Sequence, residues 1–135
     1  MTLAELNRHL ELVQDLKSTQ ELLNGLWAAA VPGAQKLTGM PHQPGVSDKT
    51  GAYAIEIADA EEQIELIKAR IAESEAVILP WIAAIDDNLT RIVFRLRFIR
   101  GKQWQEVADI IGGKNTGDAI RMVCYRYLED CPHEP

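Results

Sequence analysis

Along the first thirty positions apolar residues recur at Leu3, Leu6, Leu10, Val13, Leu16, Leu23 and Trp27, with polar residues between them. Steps of three, four and seven place them on one stripe, which predicts a helix of about 25 residues. Ala28, Ala29 and Ala30 extend it at little cost, and Pro32-Gly33 stops it. From 31 to 51 the chain is dense in helix breakers, with Pro32, Gly33, Gly39, Pro41, Pro44, Gly45 and Gly51. That pattern predicts a long loop, a rarity in a small domain that points to a functional or docking role. Ser47 to Thr50 then offers capping chemistry for the next helix.

The second long pattern is tighter. Tyr53, Ile57, Ala60, Ile64, Ile67, Ile71, Ser74, Ile78 and Trp81 alternate steps of four and three, as in the seam of a coiled coil. At ~1.5 Å per residue such a helix is a rod of roughly 40 Å, too long to bury its seam inside one small globule. Residues 1–85 therefore read as a helical hairpin that also joins subunits. Pro80 either kinks the rod or opens a new helix.

Residues 86–129 change character. Asp86-Asp87-Asn88 can cap a helix with Leu89, Ile92, Val93, Leu96 and Ile99 inward and Arg91, Arg95, Arg97 and Arg100 outward, closed by Gly101-Lys102. Trp104–Ile111 is a short second helix, Gly112-Gly113 a sharp turn, and a third helix follows from about Thr116 to Leu128. Its inner positions are Ile120, Val123, Cys124, Tyr127 and Leu128; Asp118, Arg121, Met122 and Tyr125 face outward. Small Ala108 lets the second and third helices cross closely. The expected fold is all-α, a long N-terminal hairpin followed by a tri-helical helix-turn-helix and an acidic tail at 130–135.

Charge sharpens the picture. The net charge of −6 over 135 residues argues at first against nucleic acid, but its distribution does not. Residues 1–90 hold six basic and fourteen acidic side chains, residues 91–128 eight and three, and 129–135 none and three. Only the tri-helical segment is basic. Its order of helix, glycine turn and basic helix is that of DNA-binding units which lay the last helix in the major groove.

Within it, Asn115 and Asp118 read as a reciprocal cap of the third helix, and Lys114 and Thr116, beside that helix's free amides, as a phosphate clamp. Arg121, one turn on, is placed for a base edge, typically guanine, with Met122 and Tyr125 on the same face. Arg126 and Arg95 read as phosphate contacts or surface charges. Trp27, Trp81 and Trp104 lie on apolar stripes and read as core anchors. Glu61, Glu62 and Glu65 read as solvated heptad positions.

No nucleophile and base, phosphate-cradling loop or metal motif can be read, so the expectation is a non-enzyme without cofactor or metal. Cys124 and Cys131 fit no zinc spacing, and His9, His42 and His133 are scattered. With no apolar run of membrane-spanning length and no leader-like start, a cytoplasmic protein without membrane contact is expected.

The run from Arg97 through Gln103-Trp104-Gln105-Glu106-Val107-Ala108, with Ala119-Ile120-Arg121 and Tyr127-Leu128, resembles the region-four helix-turn-helix of bacterial sigma factors. More closely, the chain resembles small phage and prophage proteins related to the ArpU and RinA late-transcription regulators. The similarity lies in the Gly112-Gly113-Lys114-Asn115-Thr116 turn and the stretches Gly39 to His42 and Val46 to Lys49. Two features depart from the sigma pattern: a turn about two residues longer than usual, and Gln103 where Ser or Thr caps the second helix. No other sigma region is recognisable.

The resemblance implies a sequence-specific transcriptional regulator, a homodimer on double-stranded DNA, with RNA polymerase as a further partner it admits. Two rivals share its features: a small-terminase-like DNA-packaging subunit, which forms larger rings, and a helical interaction module with no DNA affinity.

Overall fold

The computed structural model describes residues 1–31 and 51–130. The Pro- and Gly-rich segment, His42, and the tail with Cys131 and His133 lie outside the described residues. Among those described there are helices and no strand: α1 (Leu3–Ala30), α2 (Ala54–Ala83), α3 (Asn88–Phe94), a π-helical turn (Arg95–Ile99), α4 (Trp104–Ile111) and α5 (Gly117–Asp130). The fold is all-α. No described helix is long and apolar enough to cross a membrane.

α1 starts on a reciprocal cap: Glu5 N–H donates to Thr2 Oγ1 at 3.2 Å, and Thr2 N–H donates to Glu5 Oε2 at 3.1 Å. Of the predicted seam α2 buries Ile57, Ala60, Ile64, Ile67 and Ile78; Ile71, Ser74 and Trp81 are half-buried, Tyr53 is exposed, and Ile82, outside the seam, is fully buried. Pro80 neither breaks nor restarts it; the helix continues to Ala83, and the Ala84 amide still reaches Pro80 O at 3.1 Å.

The chain divides into two compact units, and the division is not at residue 85. One unit joins the first fourteen residues to everything from Arg70 onward; the other is Asp15–Ala69. The reason lies in the first unit's core, where Leu6 and Leu10 of α1 pack with Ile78 and Ile82 of α2, Phe94, Phe98, Val107, Ile120, Cys124 and Leu128. The start of α1 and the end of α2 are thus part of the tri-helical head. A helical stripe shows that a face is buried, but not against which neighbour.

Between these segments His9 is fully buried, its Nδ1 2.8 Å from Ser74 Oγ and its Nε2 without a partner. Burial lowers its pKa, with Glu75 pulling weakly the other way. In the second unit, α1 and α2 flank shallow clefts. Leu23 lines one with Ile64 and Glu65, and Leu22 and Leu26 line another with Ala60 and Ile67. Trp27 is not a core anchor there, being 43% exposed.

The phase expected for α3 is also corrected. Val93 is buried and Leu96 and Ile99 are half-buried against the core as expected, but Leu89 and Ile92 are exposed, and Thr90, Phe94 and Phe98 are buried instead. Asp87 makes this possible: its carboxylate accepts from Thr90 N at 3.0 Å and Thr90 Oγ1 at 2.7 Å, so a polar residue enters the inner face satisfied. Those same bonds, with Arg91 nearby, hold the Asp87 carboxyl below its ordinary pKa.

After α3 the helix widens. Arg100 N–H reaches Arg95 O at 3.0 Å, five residues back, and Lys102 N–H reaches Leu96 O at 3.1 Å. Gly101, at φ 71°, then turns the chain, and a Cβ there would stand 2.9 Å from Val13 Cγ1 of α1. Arg97, expected outside, is partly buried: Nη1 donates to Lys102 O at 2.9 Å and the guanidinium lies 4.7 Å over Trp104. Burial lowers its pKa.

Candidate nucleic-acid interface

The basic segment is organised by aromatic contacts. Trp81 meets Phe94 edge-on at 5.2 Å, Phe94 meets Phe98 at 5.8 Å, Phe98 meets Trp104 at 6.2 Å, and Trp104 meets Tyr125 at 6.3 Å. This series runs from the end of α2 to the outer side of α5, so α5 is anchored by rings with few rotatable bonds. Trp81 and Trp104 are half-buried against the core, as their stripes predict.

α4 and α5 cross at Gly117, which is buried. A Cβ there would lie 3.1 Å from Gln105 N and 3.3 Å from Gln105 Cα, so a larger residue would have to push backbone aside. Gln105 also binds across the crossing: its Oε1 accepts from Gly117 N–H at 3.3 Å while its Nε2 donates to Asp109 Oδ1 at 3.0 Å. Ala108, nominated for close crossing, is 2% exposed in the same interface. Gln105 and Gly117 escape sequence reading, because a glutamine in a polar helix turn and a glycine next to a turn look ordinary until two helices meet on them. At the start of α4, Glu106 Oε1 accepts from Gln103 N–H at 3.1 Å.

The cap of α5 differs from the expected Asn115–Asp118 pair. Thr116 is the capping residue, its Oγ1 accepting from Ala119 N–H at 3.1 Å. Asn115 Nδ2 instead donates to Gly112 O at 3.0 Å, closing a turn in which Gly112 and Gly113 have φ of 81° and 72°. Asp118 faces forward to Arg121 rather than back to the turn, Oδ1 to Nη2 3.4 Å. The free amides expected at this end of α5 are accordingly fewer. The Gly117 and Ala119 amides are already engaged, leaving that of Asp118 as the free first-turn donor among the described residues.

The remaining nominated residues fall into two groups. Lys114, Asn115, Thr116, Asp118, Met122 and Arg126 are exposed in the turn and along α5. Arg121 joins them with 42% of its side chain exposed, its Cζ 5.8 Å over Tyr125, which is half-buried. Its Nε is buried without a partner. Arg95 stands apart from α5: with Arg100 and Ile99 it borders a hollow lined by Leu79, Pro80 and Ala83.

Behind this face Cys124 is fully buried, and burial pushes its thiol up to about 12. Among the described residues no cluster of His, Cys, Asp and Glu is placed to hold a metal ion. The turn presents a lysine and small hydroxyl and amide groups, and α5 an arginine and an apolar Met122, groups of the kind that can meet base edges and phosphates. No protein-family model matches this chain, and no curated protein or solved structure does either.

Proposed function

We propose that the chain is a sequence-specific DNA-binding transcriptional regulator of the phage or prophage type, sigma-region-four-like in its head and homodimeric in the cytoplasm. The observation that carries this reading is α5 itself. It is locked on its inner side by Gly117, Ile120, Cys124 and Leu128, and offers Arg121, Met122 and Arg126 on its outer side within the chain's only basic segment. In this reading α5 enters the major groove, Arg121 meets a guanine edge, and Lys114, Asn115 and Thr116 bind phosphate. RNA polymerase as a further partner is proposed on the resemblance alone.

Selection of random duplexes by the purified protein, followed by affinity measurements against salt, tests this. A defined motif is expected, with a log–log salt slope of several phosphate contacts. Arg121→Ala is expected to lose about 1–3 kcal/mol of discrimination at one position. No enriched motif together with salt-insensitive binding would overturn the proposal.

One observation favours a second reading, that of an interaction module. The Asp15–Ala69 unit leaves Leu22, Trp27, Ile55 and Leu66 exposed on an acidic background. In that case the unit would bind another protein while the head bound no DNA.

A further inference from the structure

We infer that Asp118 is a specificity-determining residue, acting through Arg121: it holds the guanidinium in place for a base edge and keeps it from the phosphate backbone. The inference rests on the DNA-reading function proposed above.

Arg121 is held from two sides. Its Nη2 lies 3.4 Å from Asp118 Oδ1, and its Cζ lies 5.8 Å over the Tyr125 ring, which Trp104 supports from behind. A guanidinium has five N–H donors, and a guanine edge needs two of them. The carboxylate can therefore keep its contact while the arginine reads a base, and the side chain arrives with less rotamer freedom left to lose.

Backbone binding is different. To reach a phosphate Arg121 would have to leave Asp118, and Asp118, with 89% of its side chain exposed, would stand as a bare negative charge beside the DNA. A matched site retains the pair; a random sequence, bound through phosphates alone, has to break it. An acidic residue in the first turn of an otherwise basic reading helix thus lowers affinity for the wrong DNA more than for the right one.

The measurement compares wild type, Asp118→Asn and Asp118→Glu on two duplexes of equal length, the one selected by wild type and a scrambled one, across a salt series. Asp118→Asn should bind the scrambled duplex roughly two- to fivefold tighter, the range expected from losing one exposed ion pair. Its salt slope there should steepen by about 0.9 as Arg121 gains a phosphate, while the selected duplex is bound no tighter than by wild type. Asp118→Glu, which keeps the carboxylate, should retain most of the discrimination. In an Arg121→Ala background Asp118→Asn should raise affinity for both duplexes alike and leave their ratio unchanged.

An unchanged ratio in Asp118→Asn overturns the inference, as does a change in the ratio that persists without Arg121. So does a shift of base preference at one position with no gain in scrambled-duplex affinity, which would make Asp118 a direct reader of a base. A wild-type protein that prefers no sequence overturns the DNA-reading function and this inference with it. Preference in wild type with an unaltered ratio in the variant overturns the inference alone.

Discussion

Single side chains in the head carry predictions that need no partner. Cys124 is enclosed and its thiol is held protonated far above neutral pH, so thiolate reagents should modify it only as fast as the head opens. Pulsed alkylation with mass spectrometry, at increasing urea, checks this; labelling of Cys124 at the rate of a free thiol in native buffer would contradict the burial. His9 gives the pH dependence. Its folded pKa lies below the ordinary 6.5, so the unfolded chain binds the extra proton first. The stability tied to neutral His9 is complete above about pH 6.5 and is lost as pH falls through that value towards the folded pKa. Urea midpoints between pH 5 and 8 should decline on the acid side, and His9→Leu should flatten that decline. At this scale part was legible: Asp118 and Met122 face out and Arg121 partly so, whereas Tyr125, expected outward, is half-buried beneath Arg121. The cap was misassigned by one residue, because Asn115 and Thr116 are both good capping residues and only the turn's backbone decides which hydroxyl or amide meets the first amides of α5.

Helices were easier to find than to orient. The period placed α4 at Trp104–Ile111, where it is, and the α2 seam at its buried positions. α3 was misread at Leu89 and Ile92 though not at Val93, and the cause is chemical. Hydropathy alone favours Leu89 and Ile92 over Thr90, yet Asp87 satisfies the Thr90 hydroxyl and lets Phe94 and Phe98 turn inward. The π-helical turn after Phe94 then breaks the 3.6-residue count on which the stripe depended. The crossing of α4 on α5 carries the element-scale prediction. Gly117→Ala puts a methyl 3.1 Å from the Gln105 backbone nitrogen, which should cost about 1–3 kcal/mol as an overpacked contact. A lowered melting temperature with weakened DNA binding is the expected outcome. Unchanged melting would mean that the crossing relaxes freely. Gln105→Ala, which removes the bond to Gly117 N–H without adding bulk, should do less to melting than Gly117→Ala.

For the molecule as a whole, the sequence showed two long amphipathic helices and a basic end, but period and charge could not show that Leu6 and Leu10 belong to the same core as Phe94. Partner choice among helices depends on three-dimensional fit, and one chain's spacing does not encode it visibly. The proposed dimer would cover what the Asp15–Ala69 unit leaves exposed, Ile55 at 82% and Leu22 at 57%. Sedimentation equilibrium should give twice the chain mass, and selected sites should show half-sites one helical turn or a multiple apart, ~34–36 Å. A ring of eight to ten copies would instead favour the packaging-subunit reading. Changing Ile55 and Leu22 together to Lys should shift the mass towards one chain while leaving the circular dichroism of the helices intact.

The placement of the three tryptophans also makes the protein its own optical instrument. Trp27 is the sole indole of the Asp15–Ala69 unit and is solvent-exposed, whereas Trp81 and Trp104 sit among the rings of the head. In Trp27→Phe all remaining tryptophan emission reports the head, with Trp104 packed against the ring that lies beneath Arg121. Engagement of that face should therefore be visible as a change in Trp104 emission without any attached label, and comparing the variant with wild type during denaturation would show whether the two units melt together or one after the other.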